Sequence, residues 1–150
     1  MTEETKAKAL AILDRRDVSR KMLTDKLTEK GVTPEEAREC ADWLCSIGVV
    51  NDERFAGLVV RHYARKGYGA QRIREELYRR GIDRELWDAA FEEMPEQDDT
   101  VYTLFTRRMG SATDEKSVQR AAQFLLRRGF SWEEIRSAME RYSADIEETL

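Results

Sequence analysis

Apolar residues recur three or four positions apart along nearly the whole chain, and no run alternates with a period of two. Leu23 and Leu27, Ile73 and Leu77, and Ala121 and Leu125 each stand four apart, the spacing of one buried helix face. Ala37, Cys40, Ala41, Leu44 and Cys45 recur at the same helical spacing, as do Leu86, Trp87, Ala90, Phe91 and Met94, and then Ile135, Ala138, Met139 and Tyr142. A further stripe of Phe55, Leu58, Val59, His62 and Tyr63 follows a cap at Asn51 or Asp52. The pattern predicts an all-α chain.

The helices come in sets. The phrase Leu-Xaa-Xaa-(Lys/Arg)-Gly ends at Gly31, Gly81 and Gly129, at offsets of 50 and 48 residues. Each Gly is followed by an apolar residue (Val32, Ile82, Phe130), and twelve residues before each stands a candidate helix cap, Ser19, Gly69 or Ser117. A cap, about three turns of helix, a basic last turn and a Gly signal both ends of a helix. Thr33-Pro34 opens the helix after Gly31 with a cap and a Pro at the first helical position, where the missing N–H costs nothing. Three helices per copy and three copies predict about nine helices, divided as 1–50, 51–94 and 95–150. Self-similarity at this period implies a repeat architecture, expected here as tandem three-helix repeats in an elongated, curved array. The acidic stretch Glu92–Asp99 reads as a linker into the third copy, whose first helix lies around Val101–Arg108 before the loop MGSATDEK.

Composition fits thin units that pack mainly on their neighbours. Charged residues are 37% of the chain, against roughly 25% in an average domain. No apolar run reaches the ~18 residues of a membrane span, and the first residues, MTEETKAKAL, lack the apolar stretch of a signal peptide. Cys40 and Cys45 lie five apart on one apolar stripe, which reads as buried free thiols in a reducing compartment. A cytoplasmic protein is expected.

The charge map changes the picture more than the total. The formal net charge is −4, yet residues 51–81 hold eight basic residues (Arg54, Arg61, Arg65, Lys66, Arg72, Arg74, Arg79, Arg80) and four acids (Asp52, Glu53, Glu75, Glu76). That asymmetry points to a basic face for an anionic partner. Arg54, Arg61 and Arg65 project within about 40° of one another on a helix. The turn Arg65-Lys66-Gly67-Tyr68-Gly69 precedes a helix start, so its backbone N–H groups are candidates to face a phosphate. Glu75/Arg79 and Glu76/Arg80 are spaced as i,i+4 ion pairs.

No catalytic set can be assembled. Gly67-Tyr68-Gly69 lacks the Gly-Lys-Ser/Thr of a phosphate loop. His62, the one histidine, falls on the apolar stripe and reads as a core or half-buried residue. No carboxylate or Cys/His cluster has metal-ligand spacing, so no metal and no cofactor are expected. Trp43, Trp87 and Trp132 fall in the last helix of each copy and read as packing residues. A protein that is not an enzyme is expected.

These residues carry a resemblance. The tripartite chain resembles the RecX family of bacterial regulatory proteins, most specifically in the middle copy: Asn51-Asp52-Glu53-Arg54-Phe55-Ala56, then Gly67-Tyr68-Gly69-Ala70-Gln71-Arg72-Ile73-Arg74-Glu75-Glu76-Leu77, then Arg79-Arg80-Gly81-Ile82. Ala9-Leu10, Leu13, Arg16, Ser19, Leu23, Leu27 and Gly31 fit the first copy, as does Ile47-Gly48-Val49-Val50 ahead of Asn51. The resemblance implies a modulator that binds the RecA filament on single-stranded DNA and inhibits its ATPase, recombinase and SOS-inducing activities. It would do so by limiting filament extension or promoting disassembly. The acidic net charge favours contact chiefly with RecA, with weak or indirect contact to single-stranded DNA. On that reading Arg61, Arg65, Lys66, Arg72, Arg74, Arg79 and Arg80 form the main contact surface and Tyr63 and Tyr68 add aromatic contacts. Arg107, Arg108, Arg127 and Arg128 extend the surface into the third copy. Absence of a sustained heptad favours a monomer. The alternatives are a helical-repeat DNA-binding protein and an adaptor unrelated to RecA.

Overall fold

Side-chain caps set where the helices begin. In the computed structural model, which describes residues 1–149, Thr2, Ser19, Thr33 and Asn51 accept hydrogen bonds from backbone N–H groups three residues on, at 3.1, 3.1, 3.3 and 3.0 Å. They open α1 (Glu3–Arg15), α2 (Arg20–Glu29), α3 (Pro34–Ser46) and α4 (Asp52–Arg65). Then come α5 (Ala70–Arg79), a 3-10 turn (Arg84–Leu86) leading into α6 (Trp87–Phe91), α7 (Asp98–Met109), α8 (Glu115–Arg127) and α9 (Trp132–Thr149). Among the described residues there are nine α-helices and no strand. Leu150, where the third copy was expected to end, lies outside them.

The Leu-Xaa-Xaa-basic-Gly phrase has one structural meaning in all three copies. The N–H groups of Val32, Ile82 and Phe130 donate back to the carbonyls of Leu27, Leu77 and Leu125 at 3.0, 3.1 and 3.1 Å. This is the six-to-one bond of a Schellman turn, and it brings the apolar residue after each Gly onto the buried Leu. Leu27, Leu77 and Leu125 are fully buried, and so, nearly, are their partners.

Several expectations are corrected. Ser117 does not cap α8. Asp114 does, its carboxylate accepting from the Ser117 N–H at 3.2 Å and the Ser117 hydroxyl at 2.6 Å. Those bonds hold the Asp114 carboxyl below the usual carboxylate range. The acidic linker is shorter than Glu92–Asp99: α6 stops at Phe91, which leaves Met94 outside it, and Asp98 and Asp99 form the first turn of α7, where the helix dipole favours acids. His62 is exposed rather than half-buried, its ring edge-on to Tyr63 at 5.1 Å. Trp132 is 49% exposed and so is not core, because it is the first residue of α9, beyond the buried stripe. Cys40 is buried, and burial pushes its thiol pKa up, whereas Cys45 is only half-buried.

The chain forms two compact units, and they do not follow the three copies. One comprises Met1–Val59 with Glu76–Glu92; the other comprises Val60–Glu75 and the chain from Glu93 onward. Helices α4 and α5 therefore run from one unit into the other. In the first unit α2 packs against α3 and α1 against both, around Ala9, Val18, Leu23, Leu27, Ala37, Cys40, Ala41, Leu44 and Val50. In the second, α7 packs against α8 and α9 around Val101, Phe105, Met109, Ala121, Leu125, Phe130 and Ile135, with Tyr142 edge-on to Phe105 at 5.2 Å. Each fully buried Leu, Ile or Phe here contributes about 1.5–3 kcal/mol. No described helix is long and apolar enough to cross a membrane.

Candidate functional site

The basic middle copy is built around a turn that is fastened from behind. After α4 the chain reverses through Lys66–Gly69, and the N-terminus of α5 abuts the Gly129 turn. The Gly69 N–H donates to the Arg128 carbonyl at 2.8 Å and the Gln71 N–H to the Gly129 carbonyl at 3.1 Å. The Gly67 and Tyr68 N–H groups donate to Ala64 and Tyr63 carbonyls at 3.0 Å each. The expectation that this turn faces a phosphate with its N–H groups is therefore corrected, because those four donors already serve protein carbonyls.

Arg128 completes the fastening. Its Nε donates to the Gly67 carbonyl at 3.0 Å, a second guanidinium nitrogen donates to the Lys66 carbonyl, and its plane lies over the Tyr68 ring at 3.9 Å. Arg72 flanks the same ring at 5.2 Å, and Tyr63 meets it edge-on at 5.7 Å. Gln97, buried in the segment before α7, donates to the Tyr68 carbonyl at 3.1 Å. Tyr68 and Arg128, expected at the contact surface, are thus bracing groups. Arg128→Ala is expected to destabilise the protein by about 2 kcal/mol, because it removes charged hydrogen bonds and a cation–π interaction at once. Arg128→Lys should rescue little, since an ammonium cannot reproduce the planar fork. Thermal unfolding of the three proteins checks this.

An equivalent joint occurs in the first unit. Ser19 Oγ donates to the carbonyl of Arg80, the residue before Gly81, and the Arg20 N–H donates to Asp52 at 2.8 Å. Ser19 and Gly69 both stand twelve residues before their own Gly, and Arg80 and Arg128 each precede a Gly. The same position of one copy thus docks on the same carbonyl of the next, once in each unit.

The other predicted cations differ in their surroundings. Arg61 bonds Glu93 at 3.0 Å. Arg79 reaches Glu76 at 3.1 Å, three residues back rather than the four of the expected Glu75 pair, and Arg80 bonds Glu76 as well. Glu76 is 3% exposed, so these two arginines satisfy a buried carboxylate. Arg65, Lys66, Arg74, Arg107, Arg108 and Arg127 are exposed. Arg65 and Lys66 stand at the C-terminal end of α4, on the rigid turn described above.

One feature was missed in the sequence. Arg108 and Arg127 line an open groove of about 810 Å³ together with Lys116, Gln119, Arg120 and Gln123. The last four share one face of α8 at steps of three and four, a signal the sequence carries but which the acidic total of the chain obscures. No group of three or more His, Cys, Asp or Glu able to hold a metal occurs among the described residues.

Comparison with known proteins places this architecture. Three family models match in register with the copies: "RecX, first three-helix domain" over residues 6–44, "RecX, second three-helix domain" over 51–90 and "RecX, third three-helix domain" over 96–139. The chain is 40% identical over 134 residues to a "Regulatory protein RecX" of Xanthomonas axonopodis pv. citri (strain 306), covering 87% of this chain and 83% of the relative. It is 39% identical over 141 residues to one from Stenotrophomonas maltophilia (strain R551-3), covering 92% and 86%. The crystal structure of RecX from Lactobacillus salivarius superposes with a TM-score of 0.85 at 22% identity, covering 94% of this chain and 96% of that one. At that identity the likeness speaks for the fold alone.

Proposed function

The chain belongs to the RecX family of regulatory proteins, and from that premise we propose that it binds the RecA filament on single-stranded DNA and inhibits it. The effect falls on ATPase, strand exchange and SOS induction, through limited filament extension or promoted disassembly. The observation that carries this reading is the match of all three RecX domain models along the chain. The site is the exposed basic edge at Arg65, Lys66 and Arg74, with Arg107, Arg108 and Arg127 beyond it. A turn braced by Arg128 and Tyr68 supports the reading physically, because cations held on rigid backbone lose less entropy when a partner orders them. Three repeats (1–50, 51–94, 95–150), a monomeric state and a cytoplasmic location belong to the same proposal.

RecA ATPase on single-stranded DNA, titrated with this protein well below one molecule per RecA, tests it. Strong substoichiometric inhibition is the expected outcome. An unchanged rate with the recombinase of the same organism overturns the assignment and leaves a helical adaptor for another partner.

A further inference from the structure

We propose that an apolar groove along α9, in the second unit, is a docking site for an amphipathic, basic helix of a partner protein. Fully buried Phe105 of α7 lies at its base, and Val118 of α8 and Met139, Tyr142 and Ile146 of α9 form its walls. The α9 residues recur at steps of three and four, so they share one helix face. Ser143 and Glu147 stand on its rim. Val118, Met139, Tyr142 and Ile146 are each only half-buried, which leaves the core of this unit open on one side. The opening of about 400 Å³ holds on the order of a dozen waters at ~30 Å³ each. Displacing water from such walls onto a partner's apolar face is favourable, and the flexible Met139 side chain adapts to what enters.

Charge selects the occupant first. No lysine, arginine or histidine lines the groove. Glu147 is exposed and makes no ion pair among the described residues. Residues 142–149 carry three acids (Asp145, Glu147, Glu148) and no base. Arg141, the base just before them, is engaged with α7, where it bonds Asp99 at 2.9 Å and lies over the Tyr102 ring at 3.9 Å. An apolar surface with a negative rim complements apolar side chains flanked by lysine or arginine, and it repels nucleic acid and anionic membranes.

Hydrogen bonding selects it second. The Tyr142 hydroxyl already donates to the Ala112 carbonyl at 3.1 Å, and among the described residues no buried side-chain polar atom lacks a partner. An extended peptide or a polar small molecule would enter with its own polar groups unmet, whereas a helix satisfies its backbone internally. From Met139 to Glu147 the groove follows α9 for about 12 Å, room for helix anchors at i, i+3 or i+4, and i+7. This surface is opposite in charge to the edge at Arg65 and Lys66, so it takes a different kind of partner and does not rest on the RecA reading.

Fluorescence anisotropy of a labelled synthetic helix of leucine and lysine, with leucines at i, i+3, i+4 and i+7, titrated with the full chain, tests the groove. Saturable binding is expected. Ser143→Trp, which fills the groove from its rim, should weaken it by about tenfold or more, and Glu147→Lys by roughly tenfold. Both positions are exposed, so unchanged circular dichroism is expected. Methyl resonances of Met139 and Ile146 should shift on binding, while those of Leu23, buried in the first unit, stay in place. The site is overturned by variants that bind like the parent, by equal binding of a leucine–lysine peptide in scrambled order, or by tighter binding of a leucine–glutamate helix. It is also overturned if the chain sediments as a dimer that Ser143→Trp returns to a monomer, since a second copy then fills the groove. No recombinase is present, so failure here leaves the RecA reading untouched, and failure there leaves this one untouched.

Discussion

Gly129→Ala is expected to cost about 2–5 kcal/mol, a large part of the ~5–15 kcal/mol that holds a typical domain together. Two effects add. Gly129 has φ +94°, where an L side chain costs about 1–2 kcal/mol. A β-carbon there would also overlap the Arg72 backbone nitrogen, and overpacking of this kind costs about 1–3 kcal/mol. Two other glycines separate the contributions. Gly31 has φ +91° with nothing within 4 Å of an added β-carbon, so Gly31→Ala carries only the backbone strain. Gly69 lacks a positive φ, but a β-carbon there would overlap the Gly129 carbonyl, so Gly69→Ala carries only the clash. Urea unfolding of the three variants should rank Gly129→Ala as the most damaging. Equal losses at Gly129 and Gly31 would refute the close approach of α5 to the α8 turn.

Reversing Arg65 and Lys66 together to Glu should raise the concentration needed to inhibit RecA by about 100-fold, with the melting temperature unchanged. Both side chains are exposed and neither makes an ion pair among the described residues. Nothing inside the protein is disturbed, while attraction for an anionic surface becomes repulsion, at roughly tenfold per residue. Arg72 is the wrong partner for this test: it lies beside the Tyr68 face, and a carboxylate there would oppose the ring's negative quadrupole. Stability and inhibition therefore separate. Arg128→Ala lowers the first, and reversal at Arg65 and Lys66 lowers the second. Full inhibition by the reversed double variant would move the contact surface elsewhere.

Much of the fold was legible because its signals are local. The cap at Ser19, the Pro after Thr33 and the Leu-to-Gly spacing act within one or two turns, so their reading needs no tertiary information. The errors lie where two local signals compete. Ser117 and Asp114 are both good caps, and the earlier one won because its carboxylate reaches both the N–H and the hydroxyl of Ser117. At His62 periodicity put an exposed ring on the buried stripe, since a stripe has edges that spacing alone does not locate.

The candidate site was legible as charge and not as roles. A count of cations in 51–81 treats Arg61, Arg65 and Arg80 alike, yet one pairs with Glu93, one is exposed and one satisfies buried Glu76. Lys116 and Arg120 were passed over because the acidic total of the chain hides a local line of cations; only the wall supplied by Arg108 makes their face a groove.

By itself, then, the sequence determined the helices, their threefold recurrence and the family, since helix ends and apolar stripes are short-range properties of the chain. Tertiary structure alone decided which arginines are scaffold and which are surface. A guanidinium finds its partner across about 60 residues, as Arg128 does at Lys66 and Gly67. Only the packing of whole helices brings such groups within hydrogen-bonding distance.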